Sequence, residues 1–517
     1  MKLVADGASS ASAGANSIST EQLERAIAQI DVYLKRDSPA ASLFVDRGQF
    51  LEMLGRKDEA LQAYVDALHS EPTNVEALNA LGLLFMAAGN HAAARTVLSG
   101  AVLHGPRHAA AHANLAYVYV LGDHLTGARA LYERALLLDP ELAIAHHGLA
   151  ELLPRLGDAV GAAHHRSLGL RCRPITIGRY TGEGRPVRVL ALGTAAVGNV
   201  PTYGYFDTSV FLLASLTVDY ADPAVPLPPH DIVFNAIGEA DLCANQLALA
   251  AVLSGRTNAP IINHPHAVAA TSRAENSRRL RRLEGVATPQ IISIARTALI
   301  GSAVQARLSD NGLCFPLLVR SPGYHTGDHF VKVDRAEDLD EAITELPGDD
   351  LLVIEFLDTC DAAGDFRKYR TIIVNGKLYP LHLAVSRAWK VHYFSAQMAD
   401  SAEHRAEDAA FLTDMRAVLG ARAFGALERI RDMLALDYGG IDFALSPAGD
   451  IIVFEANASM IVPSPEPGAM WEYRREPVAR IRTAVRDMLV GRAAAYVSVA
   501  AHEARPQVSQ HVLPRCG

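Results

Sequence analysis

The first third of the chain repeats itself every 34 residues, and that period limits its fold more than any other feature. Gly48, Gly82, Ala116 and Ala150 form one column of small residues at this spacing. Ala60, Ala94, Ala128 and Ala162 form a second, and Ala67, Ala101, Ala135 and Gly169 a third. Pro72, Pro106, Pro140 and Pro174 form a fourth. Small residues recur where two helix backbones come closest, and Leu51, Tyr64, Phe85, Leu98, Tyr119 and Tyr132 have the bulk to fill the gaps between them. Proline lacks the N–H and clashes with a continuing turn, so each proline ends the second helix of a pair. The predicted units are 41–74, 75–108, 109–142 and 143–176, preceded by a capping helix at about 20–36.

The columns resemble the tetratricopeptide repeat, a 34-residue helix pair. The resemblance implies a solenoid over 18–176 whose concave face holds a peptide, a partner protein or other parts of the same chain, or orders a homodimer. His104, His108, His112, His146, His147, His164 and His165 lie on helix surfaces at irregular spacing, so they read as packed or solvated side chains rather than metal ligands. Residues 1–17, rich in Ser, Ala and Gly, read as a disordered tail.

At 517 residues the chain has room for several domains of roughly 150 residues each. Its net charge of −9 argues against a general nucleic-acid binder. Five scattered cysteines without a C-x-x-C pair exclude a disulfide scaffold and a zinc ribbon, and point to a reducing, cytoplasmic compartment. No apolar run approaches the length of about 18 residues that a spanning helix needs, so no membrane partner is expected.

Beyond a Gly- and Arg-rich connector at 178–186 the pattern changes. Short apolar runs at 187–192, 232–237 and 261–262, with a helical pattern at 240–254 between the last two, predict a small α/β domain over 186–285. Longer strands follow at 290–294, 315–320, 329–333, 351–356, 368–374, 378–385, 441–445 and 451–454, with one helix at about 407–434. Asn375-Gly376 and Ser446–Gly449 are hairpin turns, which makes this region α+β. The expected fold class is therefore an all-α solenoid followed by an α/β domain and an α+β domain.

The segment 439–465 carries the chemistry. A simple hairpin through Ser446–Gly449 pairs Leu445 with Asp450 and Asp442 with Val453. Asp442, Glu455 and Asn457 then share one face by period-2 alternation, with Phe454 and Ala456 on the other. Two carboxylates and an amide oxygen on one face suit Mg²⁺. Between the strands of this region lies a dense polar set. Arg370, with Arg367 or Lys368, is placed to supply positive charge to a transferring phosphate, and His382, Trp389, Lys390 and His392 are candidates for substrate contact.

An Asp on one strand and Glu-x-Asn on the next resembles the ATP-grasp superfamily, here Asp442 and Glu455-Ala-Asn457. The resemblance spans about 187–490 and implies a small lobe at 286–360, a large catalytic lobe at 361–492 and a tail at 493–517. It implies ATP and two Mg²⁺ ions held by Asp442, Glu455 and Asn457. It also implies a hinge strand at 351–357 whose Phe356 and Leu357 backbone holds adenine, with Glu355 or Asp358 near the ribose. A Gly-rich loop with Gly323 and Gly327 would close over the phosphates. Arg320 stands where many relatives have Lys, Arg296 is the nearest cation to a second expected Lys, and Ser459 lies where related ligases bind the acceptor. The implied function is an ATP-dependent carboxylate–amine ligase acting through an acyl-phosphate on small-molecule or peptide substrates. The alternatives are a repeat scaffold with a non-catalytic nucleotide lobe and a phosphotransferase of the same superfamily.

Overall fold

The computed structural model describes residues 20–35, 39–195, 197–201, 204–301, 303–322, 324, 328–393 and 396–503. The expected tail at 1–17 lies outside them. The chain divides into two compact units, one holding residues up to Thr176 together with Tyr220–Leu227, the other holding the remainder.

The first unit is a run of antiparallel helix pairs after a leading helix, α1 (Thr20–Leu34). The pairs are α2–α3 (Ala41–Met53, Lys57–Ser70), α4–α5 (Val75–Ala87, His91–His104), α6–α7 (Ala109–Leu121, Leu125–Leu138) and α8–α9 (Ala143–Leu152, Ala159–Cys172). The small-residue columns are the contact points: Ala60, Ala94 and Ala128 are fully buried. A Cβ on Gly48 would stand 2.4 Å from Tyr64 Cε1, and one on Gly82 2.4 Å from Leu98 Cγ, so only glycine permits these crossings. Two of the histidines read as packed or solvated are buried, in repeat register. His112 and His146 each place Nε2 against the carbonyl of the preceding repeat's proline, Pro106 at 3.1 Å and Pro140 at 2.9 Å. A carbonyl only accepts, so Nε2 carries the proton in both.

The second unit contains three sheets. Parallel strands β1 (Val187–Gly193), β2 (Phe211–Thr217), β3 (Ile232–Asn235) and β4 (Ile261–Ile262) run in the order β2–β1–β3–β4. The run at β2 was not among the expected strands. A strand buried in a parallel sheet is apolar without alternation and leaves little period to read. The helix expected from 240 starts at Ala244 (α10, Ala244–Ser254).

A four-stranded antiparallel sheet follows, ordered β6–β9–β7–β8, from β6 (Ile291–Ala295), β7 (Leu317–Arg320), β8 (Phe330–Val333) and β9 (Asp350–Glu355). The third sheet is ordered β11–β10–β12–β13–β5, from β10 (Phe366–Val374), β11 (Lys377–Ser386), β12 (Tyr438–Leu445), β13 (Ile451–Asn457) and the short parallel edge β5 (Val286–Ala287). The expected lobe boundary at 286 thus falls inside a strand of the larger sheet. The single helix expected at 407–434 is two, α12 (Ala402–Thr413) and α13 (Met415–Leu434). Asp414 separates them and caps the second by accepting the Ala417 N–H at 2.9 Å, and Gly420, at φ +77°, interrupts it again.

The parallel sheet and the larger antiparallel sheet share one core. Phe234 and Ile262 pack in the same cluster as Ile372, Tyr438, Ile481 and Leu489. Tyr205 and Tyr438 hydroxyls meet at 2.6 Å, and Asn263 Nδ2 donates to the Tyr438 carbonyl at 2.7 Å. The last helix, α14 (Arg475–Glu503), closes this core and continues past the expected boundary at 492, because Ala493 is still buried in it.

Candidate active site

The hairpin β12–β13 differs from its expected register by one residue at the turn and by one bulge beyond it. Leu445 pairs with Ile451 and Phe443 with Val453, then an extra residue on β13 shifts the ladder so that Asp442 pairs with Glu455 and Gly440 with Asn457. Phe454 is that extra residue. Instead of lying on the far face it is 38% exposed and lines the cleft. A bulge re-aims side chains in this way without changing the strand's composition.

The cleft has a volume of about 450 Å³ and two chemically distinct ends. At one end Phe330, Ile354, Phe356, Leu357 and Trp389 supply apolar surface. Trp389 meets Phe330 and Phe356 edge-on, with centroids 5.3 and 6.3 Å apart. Arg320 and Lys332 lie over the rings of Phe330 and Phe356 at 5.2 and 4.5 Å. At the other end the lining carries Arg273, Arg320, Arg367, Lys368, Arg370 and Lys390 against only Glu355, Asp442 and Glu455. The balance is cationic, and low-dielectric walls strengthen its field.

Asp442 is 2% exposed, and three charged donors hold it: Arg370 Nε at 2.5 Å, Arg370 Nη2 at 2.7 Å and Lys368 Nζ at 2.9 Å. Burial pushes its pKa up, but Arg370 and Lys368 outweigh burial and hold the carboxyl far below the ordinary range. Glu455 Oε1 accepts from Arg273 Nη2 and Asn457 Nδ2, each at 2.9 Å. Asn457 Oδ1 in turn accepts the Ser459 N–H at 3.0 Å and its hydroxyl at 2.9 Å. The three oxygen-bearing side chains expected as ligands therefore do converge, and as hard oxygen donors they fit a divalent cation in kind. Each is already engaged by a partner within the chain, and Asn457 is buried behind Glu455 rather than lining the cleft.

Arg320 differs from the other cations. Its Nη2 donates to the Tyr324 carbonyl, while Nε is buried with no hydrogen-bond partner among the described residues. Burial and then the neighbouring Arg273 disfavour its charge, with Glu455, Glu239 and Asp241 acting in the opposite sense. A buried guanidinium N–H with no acceptor among the described residues, in the lining of a cleft, suits an anion.

Other expected residues divide between cleft and periphery. Trp389, Lys390, His392 and Ser459 line the cleft, with Lys390 Nζ 3.4 Å from the Phe330 carbonyl. His382 lines it too, with Nδ1 buried and unpartnered; burial, then Arg370, keeps this imidazole neutral. Arg367 reaches the lining but is tied to Asp361 and, at 2.8 Å, to Glu407. Glu355 Oε2 accepts the Gln290 N–H at 2.9 Å. Arg296 is a correction: it sits outside the cleft and donates to the carbonyls of Ile343, Leu346 and Gly348, neutralising a helix end. Asp358 is another, since it closes a local turn on the Cys360 N–H at 2.9 Å and does not line the cleft. Gly323 and Gly327 lie outside the described residues. Arg273, Glu239 and Asp241 were not foreseen, and nothing in the run Arg273–Arg282 sets the first arginine apart from its neighbours.

Two tetratricopeptide-repeat family models match the chain, over residues 19–75 and 53–120, so the helices within 19–120 are tetratricopeptide repeats. No curated protein matches. Among solved structures, MamA from Desulfovibrio magneticus RS-1 is 23% identical over 29% of this chain and 85% of its own, with a TM-score of 0.26. YrrB, described as a repeat protein with an unusual peptide-binding site, is 21% identical over 30% of this chain and 79% of its own, at 0.26. VanG D-Ala:D-Ser ligase from Enterococcus faecalis is 13% identical over 60% of this chain and all of its own, at 0.39. No helix among the described residues is long and apolar enough to cross a membrane.

Proposed function

We propose that the cleft binds ATP and that the chain is an ATP-dependent carboxylate–amine ligase. One observation carries this reading: a single cleft lines the aromatic cluster Phe330, Phe356 and Trp389 together with several cations, among them Arg320, whose Nε has no hydrogen-bond partner among the described residues. A purine and a polyphosphate need those two surfaces side by side.

In this reading the edge of β9 at Phe356 and Leu357 takes the base, and Arg320 takes phosphate oxygens. A substrate carboxylate oxygen attacks the terminal phosphorus, ADP leaves, and an acyl-phosphate forms. An amine nitrogen then attacks the acyl carbon, phosphate departs with the bonding electron pair, and the nitrogen loses a proton. Charge grows on the transferring phosphoryl oxygens, where Arg370 and Lys368 lie, and fixed donors in a dry site stabilise it without reorganising. A magnesium ion, if bound through Asp442, Glu455 and Asn457, supplies further neutralisation of the phosphates. The repeats would recruit a peptide or protein through their concave face, as solenoids of this kind do.

A second reading, a repeat scaffold whose lobe binds nucleotide without turnover, is favoured by the complete pairing of Asp442 with Arg370 and Lys368. ADP release in the presence of mixed amino acids and peptides separates the two. The ligase reading expects release dependent on both an acid and an amine, and loss of it in Asp442→Asn and Glu455→Gln. Release that neither substitution changes would rule that reading out.

A further inference from the structure

Arg273, the first residue of helix α11 (Arg273–Leu280), gathers three carboxylates from separate places in the fold. Its Nη1 lies 2.7 Å from Asp241 Oδ2 and 3.5 Å from Glu239 Oε1, and its Nη2 2.9 Å from Glu455 Oε1. The guanidinium is only 8% exposed. Asp442, across the ladder from Glu455, is held in the same manner by Arg370 and Lys368. Oxygens of both acidic side chains that face the cleft floor are thus occupied by fixed cations before any ligand arrives: Asp442 by two, and Glu455 by one guanidinium that it shares with Glu239 and Asp241.

A divalent ion approaching this floor alone finds the oxygens of Asp442 and Glu455 already held by Lys368, Arg370 and Arg273, and it must displace a hydrogen-bonded ion pair for each oxygen it takes. A polyphosphate reverses the balance. Its oxygens compete for Arg370, Lys368 and Arg273, and each cation drawn to phosphate frees a carboxylate oxygen. We propose that these three residues form a charge latch, so that the free protein does not take up a divalent ion and takes one only together with the nucleotide. The proposal rests on the nucleotide reading given above. Arg273 is here a positioning residue: it acts through Glu455, not on the reacting atoms. The exchange involves no covalent step; ion pairs within the chain give way to ion pairs with phosphate and metal.

Mn²⁺, a spectroscopic stand-in for Mg²⁺, provides the test. Free Mn²⁺ is followed by electron paramagnetic resonance as the full chain is added, with and without a non-hydrolysable ATP analogue and with the analogue alone as reference. The latch predicts that the protein alone holds Mn²⁺ at least about tenfold more weakly than protein and analogue together. Arg273→Gln leaves Glu239, Asp241 and Glu455 without their shared counter-charge, so it should bind Mn²⁺ without nucleotide at least about tenfold more tightly than the parent. Lys368→Met provides the same readout at Asp442 if Arg273→Gln does not fold. Mn²⁺ binding by the parent alone that matches the nucleotide complex, or that both substitutions leave unchanged, would overturn the latch. Failure of the analogue to bind any of the proteins would instead overturn the nucleotide reading, and it is distinguishable because the metal titration without nucleotide is read independently.

Discussion

Arg370 and Asp442 are direct cross-strand partners on β10 and β12, and the guanidinium meets the carboxylate with two hydrogen bonds of 2.5 and 2.7 Å. Lys368, two residues along the same face of β10, closes on the second oxygen at 2.9 Å. The trio sits within the sheet that the parallel domain and helix α14 pack against, so its geometry is set by the core and not by a loop.

Removing one partner of a buried ion pair costs more than the pair itself contributes, because the remaining charge is left without compensation. Arg370→Met should therefore destabilise the chain by about 3–5 kcal/mol, measured by urea unfolding. The double substitution Arg370→Met with Asp442→Leu should recover part of that loss. A single-substitution loss under about 1 kcal/mol would show that Asp442 is not held as described.

Acid provides an independent check. Asp442 has a folded-state pKa depressed below its unfolded value, so its contribution is present above the ordinary carboxylate range and fades only as pH falls below it. Stability attributable to Asp442 should be flat from neutral pH down to about 5 and decline below about 4. Asp442→Asn should remove that part of the acid slope in thermal unfolding. A parent and a variant with parallel profiles down to strongly acidic pH would contradict the assignment.

In the repeats, one of the tightest crossings is Gly48 against Tyr64. Tyr64 is fully buried and cannot retreat, since its hydroxyl donates to Glu52 Oε1 at 2.5 Å. Gly48→Ala should cost about 1–3 kcal/mol by overpacking, despite alanine's better helix propensity. Stabilisation by Gly48→Ala, read from the thermal midpoint, would refute the close approach.

The parts of this molecule that were legible in the sequence are those fixed by local spacing. Ala60, Ala94 and Ala128 sit where their shared interval places them, and the helix pairs follow within a few residues. The convergence of Asp442, Glu455 and Asn457 was legible as well, but their register was not. The bulge at Phe454 is created by packing between strands, and no Gly, Pro or Asn marks it in the chain. Arg273 was invisible for a related reason: its partners Glu239, Asp241 and Glu455 come from segments up to 182 residues away, and its own neighbourhood is uniformly basic. Arg296 looked like a cleft cation because it lies near the right strand, but it turns outward to a cluster of carbonyls that only the folded backbone brings together.

The central claim is that the cleft between the aromatic cluster and Arg320 takes a nucleoside triphosphate. Isothermal titration of the full chain with ATP and Mg²⁺ measures this most directly. The account predicts a single site per chain, at least about tenfold weaker in Arg320→Gln, which lacks the guanidinium charge and its free Nε donor. No binding of ATP at millimolar concentration by the folded protein, or equal binding by Arg320→Gln, would contradict it.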